Sequence, residues 1–275
     1  MRARDGGWLV LGLGLWALAS PWVGESAAED LPPPVRQARQ LAAELPTPSK
    51  ALGFHFLGQG KRADGTEVEL SIKAEAVTDA GQPAWKVTET WGAKAAKAGS
   101  RRTVECVLAQ DLTPLRGGTF EDGTATATKV EWLGGEKLLA IQVSGAKPGG
   151  GTTRVLRSAW YAGQPVVEVG GAVLWARLVP QGAPPCQVDF CAPSWNRLTG
   201  DGQAFFGLEL VGGQGPEFEI REPDAPEPTH VTTWALQGSK QDRSKLLQVL
   251  LDTKTGWPRM VAIHGSVYAG ESRGL

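Results

Sequence analysis

The chain has 275 residues, 41% of them hydrophobic and 21% charged, the composition of an ordinary soluble globular protein with enough apolar residues for a sizeable core. Lys and Arg total 28 against 29 for Asp and Glu, so the net charge is −1 and the positive excess that phosphate backbones demand is absent. Nucleic acid is therefore not an expected partner, and the basic run over 94–102, interleaved with Ala and Gly, reads as a solvated loop.

Met1, Arg2 and Arg4 lead into an uncharged apolar stretch from Gly6 to Val23 that exits through Gly24-Glu25-Ser26-Ala27-Ala28. A basic start, an apolar centre and a small-residue exit are the parts of a secretory signal, here residues 1–28. Ser26 and Ala28 fill the positions before the cut, and Ala17 and Ala19 offer an earlier one. A retained anchor is the alternative reading, although the run, interrupted by Pro21, falls short of the ~20 residues that span a bilayer. Either way the expected location is exported, periplasmic or extracellular, with membrane contact confined to this segment.

Residues 29–50 read as a proline-rich lead, Leu31-Pro32-Pro33-Pro34, and one short helix. Val35, Ala38, Leu41 or Ala42, and Leu45 recur at helical spacing, Pro34 suits the first turn, and Pro46 and Pro48 end it. From 51 to 275 the period changes to two, which predicts a single antiparallel β domain. Leu52, Phe54 and Phe56 alternate first. Val68, Leu70, Ile72, Ala74 and Ala76 then alternate with Glu67, Glu69, Ser71, Lys73 and Glu75. Trp85, Val87 and Trp91 follow, then Val104, Cys106 and Leu108, then Val130 and Trp132, then Leu139, Ile141 and Val143. Gly-rich turn signals separate these runs, as in a meander.

The apolar run Ala172 to Val179, after Gly170-Gly171 and before Pro180, lacks that alternation and reads as an inserted buried helix, with a buried strand as the alternative. Strands resume around Phe205–Val211, Glu217–Arg221, His230–Leu236, Leu246–Leu251 and Met260–Val267, interrupted by an acidic proline-rich loop over 222–228. The expected fold is mainly β: a curved antiparallel sheet, half-barrel or β-roll, with an N-terminal helix and one short inserted helix.

Cys106, Cys186 and Cys191 are an odd number. Cys186 and Cys191 are a candidate disulfide if their segment turns; an extended strand would hold them about 16 Å apart, beyond bridging distance. The alternative is two small buried apolar residues.

The closing segment Leu250-Leu251-Asp252-Thr253-Lys254-Thr255-Gly256-Trp257-Pro258-Arg259-Met260-Val261 reads as strand, Asp-x-x-x-Gly turn and returning strand. It resembles a hairpin of bacterial envelope proteins of the lipoprotein-localisation carrier type and of a related β-roll family of unknown function. Asp111-Leu112-Thr113-Pro114-Leu115 and the run Ala172 to Pro180 are similar to further parts of that pattern; the cysteine segment and the acidic loop are not. The resemblance implies a half-open β-roll closed by a helix, whose concave face holds an acyl chain or a hydrophobic segment of a lipoprotein. It carries no catalytic residues.

Of eleven tryptophans, Trp85, Trp91, Trp132, Trp160, Trp175, Trp195, Trp234 and Trp257 follow the signal segment. An indole suits a pocket wall or a sheet core. Trp85, Trp91, Trp132 and Trp175 are the cavity candidates. His55, His230 and His264 lack metal-site spacing, no serine sits in a Gly-x-Ser-x-Gly frame, and Glu67, Glu69 and Glu75 decorate one strand face. No catalytic residue, metal or cofactor is assigned. The expectation is a non-enzymatic binding or carrier protein of the envelope, with a structural or protein-interaction domain as the alternative and a secreted hydrolase third.

Overall fold

The structure, a computed structural model, describes residues 31–61, 65–93, 102–121, 129–133, 138–147, 150–159, 164–192, 208–221, 227–238, 245–263 and 266–275. Helix α1 spans Pro33–Ala43 and opens on proline, whose missing N–H is no loss in a first turn. It buries Val35, Ala38, Leu41 and Ala42, the face that its periodicity predicts. After a single 3₁₀ turn come β1 (Phe54–Lys61), β2 (Glu67–Asp79), β3 (Gln82–Ala93), β4 (Arg102–Ala109) and β5 (Pro114–Glu121). They are followed by β6 (Lys129–Leu133), β7 (Leu138–Lys147), β8 (Gly150–Ala159) and β9 (Gln164–Val167). Helix α2 (Glu168–Leu178) then leads to β10 (Cys186–Cys191), β11 (Leu208–Ile220), β12 (Thr229–Gly238), β13 (Lys245–Asp252), β14 (Pro258–Ile263) and β15 (Ser266–Gly274).

The described strands form one fifteen-stranded sheet in the order β8-β7-β6-β5-β4-β3-β2-β1-β15-β14-β13-β12-β11-β10-β9. Every pairing is antiparallel except β9 with β10, which run parallel because α2 makes the crossover between them. Twelve strands, β5 round to β9, curl into a nearly closed, barrel-like wall. At the seam Gln164 Nε2 on β9 donates to the Asp111 carbonyl in the β4–β5 turn at 2.8 Å. From the same turn Gln110 Nε2 donates to the Leu45 carbonyl just after α1 at 3.2 Å. Helix α1 packs on β9 and β10.

The inner face follows from alternation. Phe54 and Phe56, then Val68, Leu70, Ile72 and Ala74, then Trp85 and Val87, then Val104, Cys106 and Leu108 are all buried and meet α2 in one core. Where β1 meets β15 the strands cross so closely that a Cβ on Gly270 would lie 1.9 Å from the Leu57 carbonyl oxygen. Only glycine fits that approach.

Four expectations change. Helix α2 begins at Glu168, so Gly170 and Gly171 lie inside its first turns rather than before it. The segment Met260–Val267 is not one strand: the chain reverses between β14 and β15, with Ile263 paired to Ser266. Phe205–Val211 and Glu217–Arg221 are not two strands, because β11 runs through 208–220 with an irregular register between Gln214 and Glu217. Cys186 and Cys191 do not pair, because they are the two ends of β10, which is held extended between β9 and β11. Five residues at ~3.3 Å each put them beyond disulfide reach. The signal segment 1–28, the basic run 94–101 and the acidic loop 222–226 lie outside the described residues.

Candidate functional site: a buried carboxyl pair under the inserted helix

On β3 the inward parity is Trp85, Val87, Glu89 and Trp91, so a carboxylate stands in an otherwise apolar file. Across the sheet the register places Glu89 in the row Phe56, Ile72, Glu89, Val104. Its exposure is 1%. An ionised carboxylate is costly there unless it is hydrogen-bonded or shares a proton.

Helix α2 supplies what it needs. No side chain within the helix caps its N-terminus, and the first N–H groups of any helix lack partners inside it. The Gly170 N–H donates to Glu89 Oε2 at 2.6 Å, so β3 caps the helix from across the core. The helix dipole favours negative charge at that end. Trp91 Nε1 donates to Glu89 Oε1 at 3.1 Å. Glu168, also fully buried, opens the helix at φ 59°, a left-handed conformation that costs a non-glycine residue about 1–3 kcal/mol. Its carboxyl is hydrogen-bonded to that of Glu89. Two carboxyl groups in contact hold one proton between them.

Burial raises the Glu89 carboxyl above its ordinary range, and the bonds from Gly170 and Trp91, the charge of Arg102 and the contact with Glu168 pull it part of the way back. Arg102 follows Trp91 in register on β4. The buried Cys106 thiol is held well above its ordinary value, first by burial and then by the negative charges of Glu89, Glu168 and Glu105. It is a packing residue, not a nucleophile.

Gly170 makes the approach possible. A Cβ there would lie 2.5 Å from Val87 Cγ1 and 3.3 Å from Glu89 Oε2. At its other end α2 is tied down by Arg177, whose Nη1 donates to the Thr255 carbonyl at 3.2 Å and whose guanidinium lies 5.7 Å from the Phe54 ring centre. The tied loop is the closing hairpin: Asp252 Oδ1 accepts from the N–H groups of Lys254 and Thr255, and Gly256 turns at φ 68°.

The four cavity candidates separate. Trp85 and Trp175 are fully buried core residues, on the sheet and on α2. Neither indole N–H finds an acceptor among the described residues, each at a cost of about 1–3 kcal/mol. Trp91 is half-buried, edge-on to Tyr268 at 5.5 Å between centroids. Trp132 is placed by its backbone alone, on β6. Glu89 and Glu168 were not among the sequence candidates. Parity would have found Glu89, which sits between Val87 and Trp91 on the apolar file; nothing in the chain links it to Glu168, 79 positions on.

The concave face is occupied: of α2's eleven residues all but Arg177 are buried. At its C-terminal end lies a small cavity of about 10 Å³, bounded by Ala176, Val179, Cys186 and Trp234. A larger hollow, about 460 Å³, lies on the opposite sheet face along β1 and β15, with His55, Leu57, Gln59, Glu271 and Arg273 among its lining. His55 Nε2 is 2.9 Å from Ser71 Oγ. Burial, with the charges of Arg273 and Lys73, lowers its imidazole below the ordinary value.

No protein-family model and no curated protein matches the chain. Among solved structures it is similar to the crystal structure of a beta-barrel-like protein of domain of unknown function DUF1849 from Brucella abortus. The two are 11% identical, with a TM-score of 0.42, over 80% of this chain and 94% of that one.

Proposed function

We propose that this chain is an exported, non-enzymatic interaction module of the cell envelope, a barrel-like β domain that meets its partner on its outside. The observation that carries this reading is the burial of every residue of α2 but Arg177 against the concave face, so that a helix stands where a bound acyl chain would lie. The hollow along β1 and β15, with its mixture of Leu57, Glu271 and Arg273, has the apolar and charged character of a protein-binding surface. Export rests on the basic, apolar and small-residue order of residues 1–28.

The carrier reading keeps one observation in its favour. Among the described residues the Trp85 and Trp175 N–H groups find no acceptor, and a ligand oxygen would supply one, but only after α2 had moved. The experiment is titration of an environment-sensitive acyl probe into mature protein recovered from the envelope with its N-terminus at Glu29. No saturable binding and no change in tryptophan emission are expected; saturable binding with quenching would establish the carrier instead.

A further inference from the structure

We propose that Glu89 and Glu168 form a proton-dependent latch: one proton shared between their carboxyl groups holds the first turn of α2 against β3, and its loss frees that end of the helix from the concave face.

The geometry supplies both halves of the device. Glu89 is the only cap that the described structure offers the Gly170 N–H, and it is a side chain of the sheet, not of the helix. Helix and sheet are therefore joined at this end through a titratable group. Glu168 is held in contact with it at φ 59°, so the pairing is maintained against backbone strain. The groups facing the pair are few. Among the described residues Arg102 on β4 is the positive charge acting on Glu89, and Cys106 on β4 is neutral. Trp91 on β3 donates to Glu89. From β2 comes Ile72, and Val87 of β3 abuts Gly170; both are apolar. With one proton present the pair carries a single negative charge, met by Arg102, the Trp91 N–H and the helix end. With none it carries two negative charges in contact, and one arginine does not offset both.

The sign follows from Glu89. Its native carboxyl holds its proton to higher pH than an unfolded glutamate would, so the latch is closed at low pH and its contribution is lost as pH rises through the native value.

Hydrogen exchange on the full chain, corrected for intrinsic rates, reads this directly. Protection of the amides of Gly170 and Gly171 should fall by up to tenfold per pH unit as pH rises above the ordinary glutamate range and through the native titration, the slope of one linked proton, while amides of β2 and β3 keep theirs. Glu89→Gln keeps an acceptor for Gly170 and presents an amide donor to Glu168, so it should flatten the profile at the protected level; Glu168→Gln should do the same from the other side. A flat wild-type profile, or equal loss in α2 and in the sheet, overturns the latch. The wild-type measurement decides the matter even if neither variant folds.

Discussion

Gly170 shows how little room separates helix from sheet. A methyl at that position would stand 2.5 Å from Val87 Cγ1, inside a core where neighbours on both sides are fixed. Gly170→Ala should gain intrinsic helix propensity, which favours alanine by about 1 kcal/mol. Overpacking, at roughly 1–3 kcal/mol, should outweigh that gain and leave the protein destabilised by a net of up to about 2 kcal/mol. A urea titration followed by far-UV dichroism checks this, and a more stable variant would mean that the interface yields. The same residue shows how much was legible beforehand. A Gly-Gly pair before an apolar run reads as a boundary, whereas this pair sits inside the helix because the sheet leaves no space for a side chain. Glu89 was legible as an inward-facing acid by parity. Its meaning was not, because the group that explains it arrives with the β9–β10 crossover.

The elements differ in how far their own residues specify them. Helix α1 needed only the spacing of Val35, Ala38, Leu41 and Ala42, since it is half-exposed and therefore patterned. Strand β2 was equally plain. Helix α2 and strand β10 were not, because each is covered on more than one side: α2 by the curled sheet, and β10 by α2 and α1. Full enclosure erases the alternation that distinguishes strand from helix. For that reason the cysteine segment looked like a loop that could turn back on itself. Helix α1 packs on β9 and β10, and Asp189 of β10 is completely buried. Ala38→Asp, on the covered face of α1, should cost at least about 2 kcal/mol by burying a charge. It should also raise protease cleavage between 29 and 50, detectable by mass spectrometry; unchanged melting and cleavage would show that α1 is dispensable.

At the scale of the molecule, the continuity of the sheet depends on β1 reaching β15. Gly58, Gly60 and Gly270 let the two backbones come together, and Gly270 has no space for a Cβ against Leu57 O. Gly270→Val should therefore break the junction and give a species that loses near-UV dichroism and self-associates through its unpaired edges, as sedimentation velocity would show. A monomer with wild-type melting would mean that the sheet stays continuous without this contact. The inner face of the wall is where the sequence-based expectation of a ligand cleft met its limit: period-two alternation marks which side chains face inward, and cannot say whether a helix already fills the volume they enclose.

The pairing of His55 with Arg273 joins positions 218 residues apart in the chain. Synthesis therefore leaves β1 waiting for its second neighbour until nearly the whole length has emerged, and so distant a closure is slow. Until that pairing forms, β1 and β15 are both open edges, each a template for a wrong partner strand.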